Sequence, residues 1–287
     1  MKIGAYQFAV TSNIKVNLET IKKVVMQAVQ AGVKLLVFPE CALTGYPPRD
    51  IENSASVKFD ELTFAYEQIQ KLIDENAIHV ICGTITREDD KYYNSAVIFI
   101  PHREKIFYHK RALWGWDKDN FSIGSNAGIV EIEGLKIGIR ICFEVRFPEF
   151  FRELYAEDTD LNIILFYDVA DYDDTERYEL IKSHIRTRAV ENVTYTLSVD
   201  AICPYQTAPT ALYDKSGYPL IELERNKENL LVYDFENGEP DFGEQGRKEI
   251  SDWLTGDKRL KERKRKCTIA DSQKKITGFG IGQQPLL

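Results

Sequence analysis

Short apolar runs of strand length alternate with helix-periodic stretches along most of this chain, and that alternation admits little besides a mixed α/β fold. Strands are predicted over residues 2–9, 35–38, 80–86, 95–100, 105–108, 129–132, 136–141, 162–167, 195–199, 210–213, 219–222 and 230–234. Helical spacing of apolar residues covers 16–30, with Gly32 as its stop, and also 56–75, 150–156 and 176–191. The charged turn Arg87-Glu88-Asp89-Asp90-Lys91 and the glycine Gly134 each separate a pair of strands. No internal repeat is visible. Strands and helices mixed in this order imply two sheets with helices outside.

Three of the runs break off at a reactive side chain. Leu35-Leu36-Val37-Phe38 stops at Pro39, which cannot donate to a ladder, so Glu40 projects from a strand end. Ile106-Phe107-Tyr108-His109 ends at Lys110. The run closing at Ile141 is followed by Cys142, and Pro148 suits an early position of the next helix. A thiol at such a corner stands clear of the backbone and near the unpaired N–H groups that open a helix. In open α/β sheets ligands bind outside strand ends. A carboxylate, an ammonium and a thiol, each ending its own strand, are therefore candidates for one pocket. Each has an ordinary reading too: Cys142 as a buried structural cysteine, Glu40 and Lys110 as solvated loop charges.

Composition limits the function classes. The 287 residues suffice for one large domain or two small ones, and the net charge of −8 argues against coating nucleic acid. The N-terminal residues enter a strand directly, without a signal-peptide pattern, and no run reaches the ~20 apolar residues of a membrane span. The cysteines Cys41, Cys82, Cys142, Cys203 and Cys267 are odd in number and scattered, with no ligand-like pair, so a reducing, cytoplasmic setting without a structural metal is expected.

The quoted segments carry a resemblance. Phe38-Pro39-Glu40 followed by Leu43-Thr44-Gly45-Tyr46, then His109-Lys110-Arg111-Ala112-Leu113, then Ile141-Cys142-Phe143-Glu144-Val145-Arg146-Phe147-Pro148-Glu149 resemble the nitrilase superfamily of carbon–nitrogen hydrolases. Arg186-Thr187-Arg188-Ala189-Val190-Glu191-Asn192 and Asp214-Lys215-Ser216-Gly217-Tyr218-Pro219-Leu220 extend it. The resemblance implies a four-layer α-β-β-α sandwich, a catalytic domain over 1–255 with a tail over 256–287, and a homodimer. It implies Cys142 as nucleophile, Glu40 as general base, and Lys110 as the cation facing the oxyanion. The backbone N–H of Phe143 would be a second oxyanion donor. The expected partner is a small linear amide, cleaved through a thioester to release ammonia or an amine. N-carbamoyl amines and nitriles remain alternatives, as does a non-catalytic binding protein on the same fold. No cofactor is implied, and neither nucleic acid nor membrane is an expected partner.

The family's second glutamate has no direct counterpart. Asp117 stands at about its place, one methylene shorter, and Glu144 is a second acidic candidate; a loop charge is the ordinary reading of Asp117. Tyr46, Trp116, Asp168 and Asp171 are candidates for contacting substrate, with Trp114, Phe121 and Tyr172 as further possible walls. The aspartate-rich stretch 167–174 suggests poor tolerance of a substrate carboxylate. A Cys–His mechanism is the rival, but His109 neighbours Lys110 in a strand and should face the other way. By the same alternation only one of Glu40 and Cys41 should enter the pocket. The basic run 258–266 reads as a solvated arm, and Gly278-Phe279-Gly280-Ile281-Gly282 lacks the strand and helix of a dinucleotide fingerprint.

Overall fold

In the computed structural model, which describes residues 1–255, the elements follow the order β1 (Lys2–Gln7), α1 (Ile14–Gln30), β2 (Val33–Val37), α2 (Phe59–Asn76), β3 (His79–Glu88), β4 (Lys91–Phe99), β5 (Ile106–His109), α3 (Trp116–Asn120), β6 (Ile129–Ile132), β7 (Leu135–Ile141), α4 (Pro148–Ala156), β8 (Leu161–Leu165), β9 (Val169–Ala170), α5 (Thr175–Asn192), β10 (Tyr195–Val199), β11 (Tyr205–Gln206), β12 (Ala211–Tyr213), β13 (Pro219–Glu222), β14 (Asn229–Asp234) and α6 (Phe242–Thr255). The chain divides into a compact unit Met1–Glu239 and a second unit beginning at Pro240, to which α6 belongs. The basic run 258–266 and the glycine-rich segment 278–282 lie outside the described residues.

The first unit holds two six-stranded sheets, β14-β1-β2-β3-β4-β5 and β13-β12-β10-β8-β7-β6. Each has a parallel centre, β1-β2-β3 in one and β7-β8-β10 in the other, with antiparallel strands at the flanks. The two-residue periodicity of the strands sorts their side chains into three cores. Leu35 and Val37 of β2 enter the core between the sheets, where Ile137, Ile139 and Ile141 of β7 and Ile163 and Leu165 of β8 meet them. Leu36 points to the outer core under α1 and α2, and Ile164 to the outer core under α4 and α5. Ile14, Leu18, Ile21, Val25 and Ala28 recur at helical spacing and form the buried stripe of α1, whose N-terminus is capped by the Asn13 side chain. The result is the expected α-β-β-α sandwich.

The helix α6 has no counterpart among the predicted helices, and the other departures from the sequence reading are local. The helix expected over 56–75 is split into a 3-10 turn, Ser54–Ser56, and α2, because Val57 is extended. The short helix α3 and the two-residue ribbon β9–β11 escaped periodicity, which needs longer windows.

Backbone contact fixes how the strand ends meet. Gly83 of β3 lies against the turn after β2: a Cβ there would sit 2.1 Å from the Pro39 carbonyl oxygen and 2.4 Å from the Cys41 nitrogen. Its N–H donates to that Pro39 oxygen at 3.0 Å, and its carbonyl accepts from the Leu43 N–H at 3.1 Å. The Glu40 N–H donates across to the Phe166 carbonyl, just past β8, at 3.2 Å. Gly83→Ala is expected to lower stability by about 1–3 kcal/mol through overpacking, or more, because the obstructing atoms are backbone. Denaturant unfolding of the variant beside the parent measures this.

Candidate active site

The three strand-end residues face one another at the same end of the sandwich. Glu40 and Lys110 come from the first sheet and Cys142 from the second. Lys110 is 1% exposed, and its Nζ lies 2.8 Å from Glu40 Oε1 and 2.7 Å from Asp117 Oδ2. Asp117 thus holds the ammonium directly. The helix α3 brings it there, and Tyr46 donates its hydroxyl to Asp117 Oδ1 at 2.8 Å. Glu40 is buried as deeply and accepts two more hydrogen bonds, from Asn94 Nδ2 at 2.6 Å and from the Tyr167 N–H at 2.8 Å. Asn94 also receives the Lys110 N–H on its own carbonyl at 2.8 Å, so one residue of β4 ties carboxylate and ammonium together.

Cys142 opens a 3-10 turn, Cys142–Arg146, with φ of 46°, a left-handed conformation rare outside glycine. Phe143 follows in that turn, where the leading N–H groups have no intrahelical acceptor. The corner is held by Glu144, which is fully buried. Its carboxylate accepts from the Ile141 N–H, the Arg111 N–H and the Tyr108 hydroxyl, each at 2.7 Å. Glu144 therefore braces the end of β7 against the segment after β5 and does not line the cavity around Cys142.

Electrostatics separate the roles these groups can take. Burial raises Glu40 above the ordinary carboxylate range; Lys110 opposes that rise, and Asp117 adds to it. Burial alone would lower Lys110, but Glu40 and Asp117 reverse it, and the ammonium ends well above its usual value. The Cys142 thiol is pushed up, first by burial and then by the negative field of Glu40, with Lys110 opposing. These influences favour a protonated Cys142 thiol and a charged Lys110.

The cavity measures about 560 Å³ and is lined by Lys110, Asp117 and Cys142 together with Tyr46, Trp116, Asp168 and Asp171. Tyr46 stacks on Tyr167 with ring centroids 5.1 Å apart. The aspartates are matched by arginines. Arg177 grips Asp168 with Nε and Nη2 at 2.7 and 3.0 Å, Arg49 meets Asp171 at 2.8 Å, and Arg225 pairs with Asp173. Arg146 also lines the cavity and has no carboxylate partner among the described residues. The stretch 167–174 therefore does not present the uncompensated negative charge that its sequence suggested. Phe121 packs in the core under α1 and α2 and is not among the lining residues.

The histidines stand apart, as strand alternation required for His109. It bonds Ser95 Oγ at 2.7 Å and Glu88 Oε1 at 2.9 Å, and none of the four histidines lines the cavity. Cys41 is buried with its sulfur 3.8 Å from Asn94 Oδ1, outside the lining. Among the described residues no group of three or more His, Cys, Asp or Glu side chains is arranged to hold a metal ion, and no helix is long and apolar enough to cross a membrane. Asn94 and the Tyr167 N–H were invisible to sequence reasoning, since an uncharged strand residue and a backbone group carry no motif.

The chain belongs to the carbon–nitrogen hydrolase family, whose model matches residues 2–238. A hydrolase of Schizosaccharomyces pombe is 28% identical over 159 residues, 52% of this chain and 49% of that protein. The omega-amidase of Xenopus tropicalis is 27% identical over 167 residues, 54% of this chain and 59% of its own length. The chain thus spans about half of these relatives. An amidase from Nesterenkonia sp. superposes with a TM-score of 0.72 at 23% identity, covering 83% of this chain and 90% of that one, which establishes a shared fold.

Replacing Lys110 by Ala would leave two buried carboxylates without their cation. Breaking a buried ion pair in this way lowers stability by about 3–5 kcal/mol. Lys110→Ala is expected to lose that amount in urea unfolding at neutral pH.

Proposed function

We propose that the protein hydrolyses a carboxamide through a thioester on Cys142. The observation that carries this reading is a partly exposed thiol sharing one cavity with a buried lysine clamped between two carboxylates. Glu40 takes the thiol proton, and the thiolate attacks the carbonyl carbon. The oxygen that gains charge is met by Lys110 and the Phe143 N–H. Collapse breaks the C–N bond, and Glu40 returns its proton to the departing nitrogen, giving ammonia or an amine. Glu40 then takes a proton from water, the resulting hydroxide attacks the thioester, and the acid leaves as Cys142 regains its hydrogen. Asp117 keeps Lys110 charged and aimed, the part the family's second glutamate would play, and Tyr46 fixes Asp117. Glu144 has a positioning role through the corner it braces. The relatives named as amidases support an amide substrate.

The direct test is incubation with a set of amides, N-carbamoyl amines and nitriles, followed by ammonia and carbon dioxide analysis and mass spectrometry of the peptide carrying Cys142. An acyl mass on that peptide and ammonia without carbon dioxide are expected. Cys142→Ala should abolish turnover. Glu40→Gln should lower kcat by about 100-fold or more, the scale of a lost general base; a near-normal rate in that variant excludes Glu40 as the base.

The raised Glu40 carboxyl gives a pH prediction with a definite sign. The base works ionised, so activity is lost as pH falls through its raised value. The acid limb of kcat/KM is expected to lie above about 4.3, the ordinary glutamate value.

Because each aspartate of the 167–174 stretch that lines the cavity is either paired with an arginine or engaged at the start of α5, a substrate carboxylate meets little repulsion there. Succinamate is expected to be hydrolysed at least as fast as butyramide, an amide of similar size. Turnover more than about tenfold slower, equivalent to about 1.4 kcal/mol, would show that the arginines do not neutralise the loop.

A further inference from the structure

The amide chemistry at Cys142 needs only a small part of the cavity. At about 560 Å³ the space is in the range of sites for much larger ligands, and an amide such as acetamide would leave most of it to water. The unfilled part has a definite character. Trp114, Trp116 and Tyr172 line it while remaining 66%, 49% and 67% exposed, and Phe143 lines it beside Cys142.

These rings come from three separate segments. Trp114 and Trp116 follow β5, Phe143 follows β7, and Tyr172 follows β9. Single exposed aromatics are common on protein surfaces, whereas several around one concavity, rimmed by charge, mark a binding surface. Each ring is also anchored by a polar partner. Lys118 Nζ lies 4.5 Å from the Trp114 ring centre, Arg49 Cζ 5.6 Å from that of Trp116 and Arg146 Cζ 5.8 Å from that of Phe143. The Tyr172 hydroxyl donates to Asp174 Oδ2 at 3.2 Å. Apolar surface is therefore held around the opening, with Phe143 also packed edge-on against Phe147 at 5.2 Å. The same cations disfavour a positively charged guest, since Lys118, Arg49 and Arg146 already take the cation-over-ring positions.

Resting on the amidase reading, we propose that the outer cavity is a subsite for an aromatic, or similarly flat and apolar, arm of the substrate, with Trp114, Trp116, Phe143 and Tyr172 as its walls. Such an arm meets ring faces and edges in the arrangements aromatic pairs prefer, while its amide end reaches the sulfur. The substrate class is then an arylalkyl amide rather than the smallest aliphatic ones.

The test compares 3-phenylpropionamide with propionamide on the purified full chain, following ammonia release. The expected result is a kcat/KM at least tenfold higher for the phenyl compound, expressed mainly in KM. That ratio should fall at least threefold in Trp114→Ala and in Tyr172→Ala, with the thermal unfolding midpoint unchanged. Equal values for the two amides, or a ratio that survives in both variants, overturns the subsite while leaving amide hydrolysis standing. Should neither amide be turned over, the amidase reading is what fails, and calorimetric binding of the same pair to Cys142→Ala decides the subsite. Tenfold tighter binding of the phenyl compound supports it, and equal or undetectable binding of both removes it.

Discussion

The lysine between two carboxylates organises this end of the molecule. Lys110 is 1% exposed, and an isolated ammonium so deeply buried would be expelled or neutralised. Glu40 and Asp117 supply enough negative field to keep it charged, and they in turn are satisfied by Asn94, Tyr46 and the Tyr167 N–H. No member can be removed without stranding another, because the low local dielectric that strengthens each contact also penalises each vacancy. The cluster draws on β4, β5, α3 and the turns after β2 and β8, so these segments are bound to a common geometry before any substrate arrives.

That geometry turns the Cys142 thiol toward the cavity beside Lys110 and Asp117. Burial and Glu40 both oppose a thiolate, and Lys110 acts the other way. In the proposed mechanism the charge is generated only when a carbonyl is there to receive it. The left-handed corner at Cys142 is costly for a residue with a side chain and is maintained by the carboxylate of Glu144, which satisfies three donors around it.

Much of this was legible in the amino-acid sequence, and what was legible had a physical reason. Pro39 had to end a strand, which brought Glu40 to the sheet margin; Pro148 marked the start of α4, which located the corner at Cys142; two-residue alternation separated His109 from Lys110. Asp117 was singled out only through the family resemblance, as the counterpart of the second glutamate, with a loop charge as the other reading. What stayed hidden was partnership over long separations. Nothing in 167–174 announces that Arg49, Arg177 and Arg225 will neutralise its acids, nothing in β4 distinguishes Asn94, and Glu144 looked as apt for chemistry as Asp117 until its three donors were seen.

The hydrogen bond from the Glu40 backbone to Phe166 is one of several polar links, with Tyr167 to Glu40 and Tyr108 to Glu144, between two sheets whose facing centres are packed mainly with hydrocarbon. Hydrocarbon contacts have no preferred direction, so on their own they would let one sheet glide over the other by fractions of an ångström. A polar rivet at the rim, beside the carboxylate it carries, converts that slippery seam into a fixed joint. Alignment of the Glu40 carboxylate and the Cys142 sulfur thereby becomes a property of the whole sandwich, and mutations deep in the seam, far from both, acquire a route to that alignment.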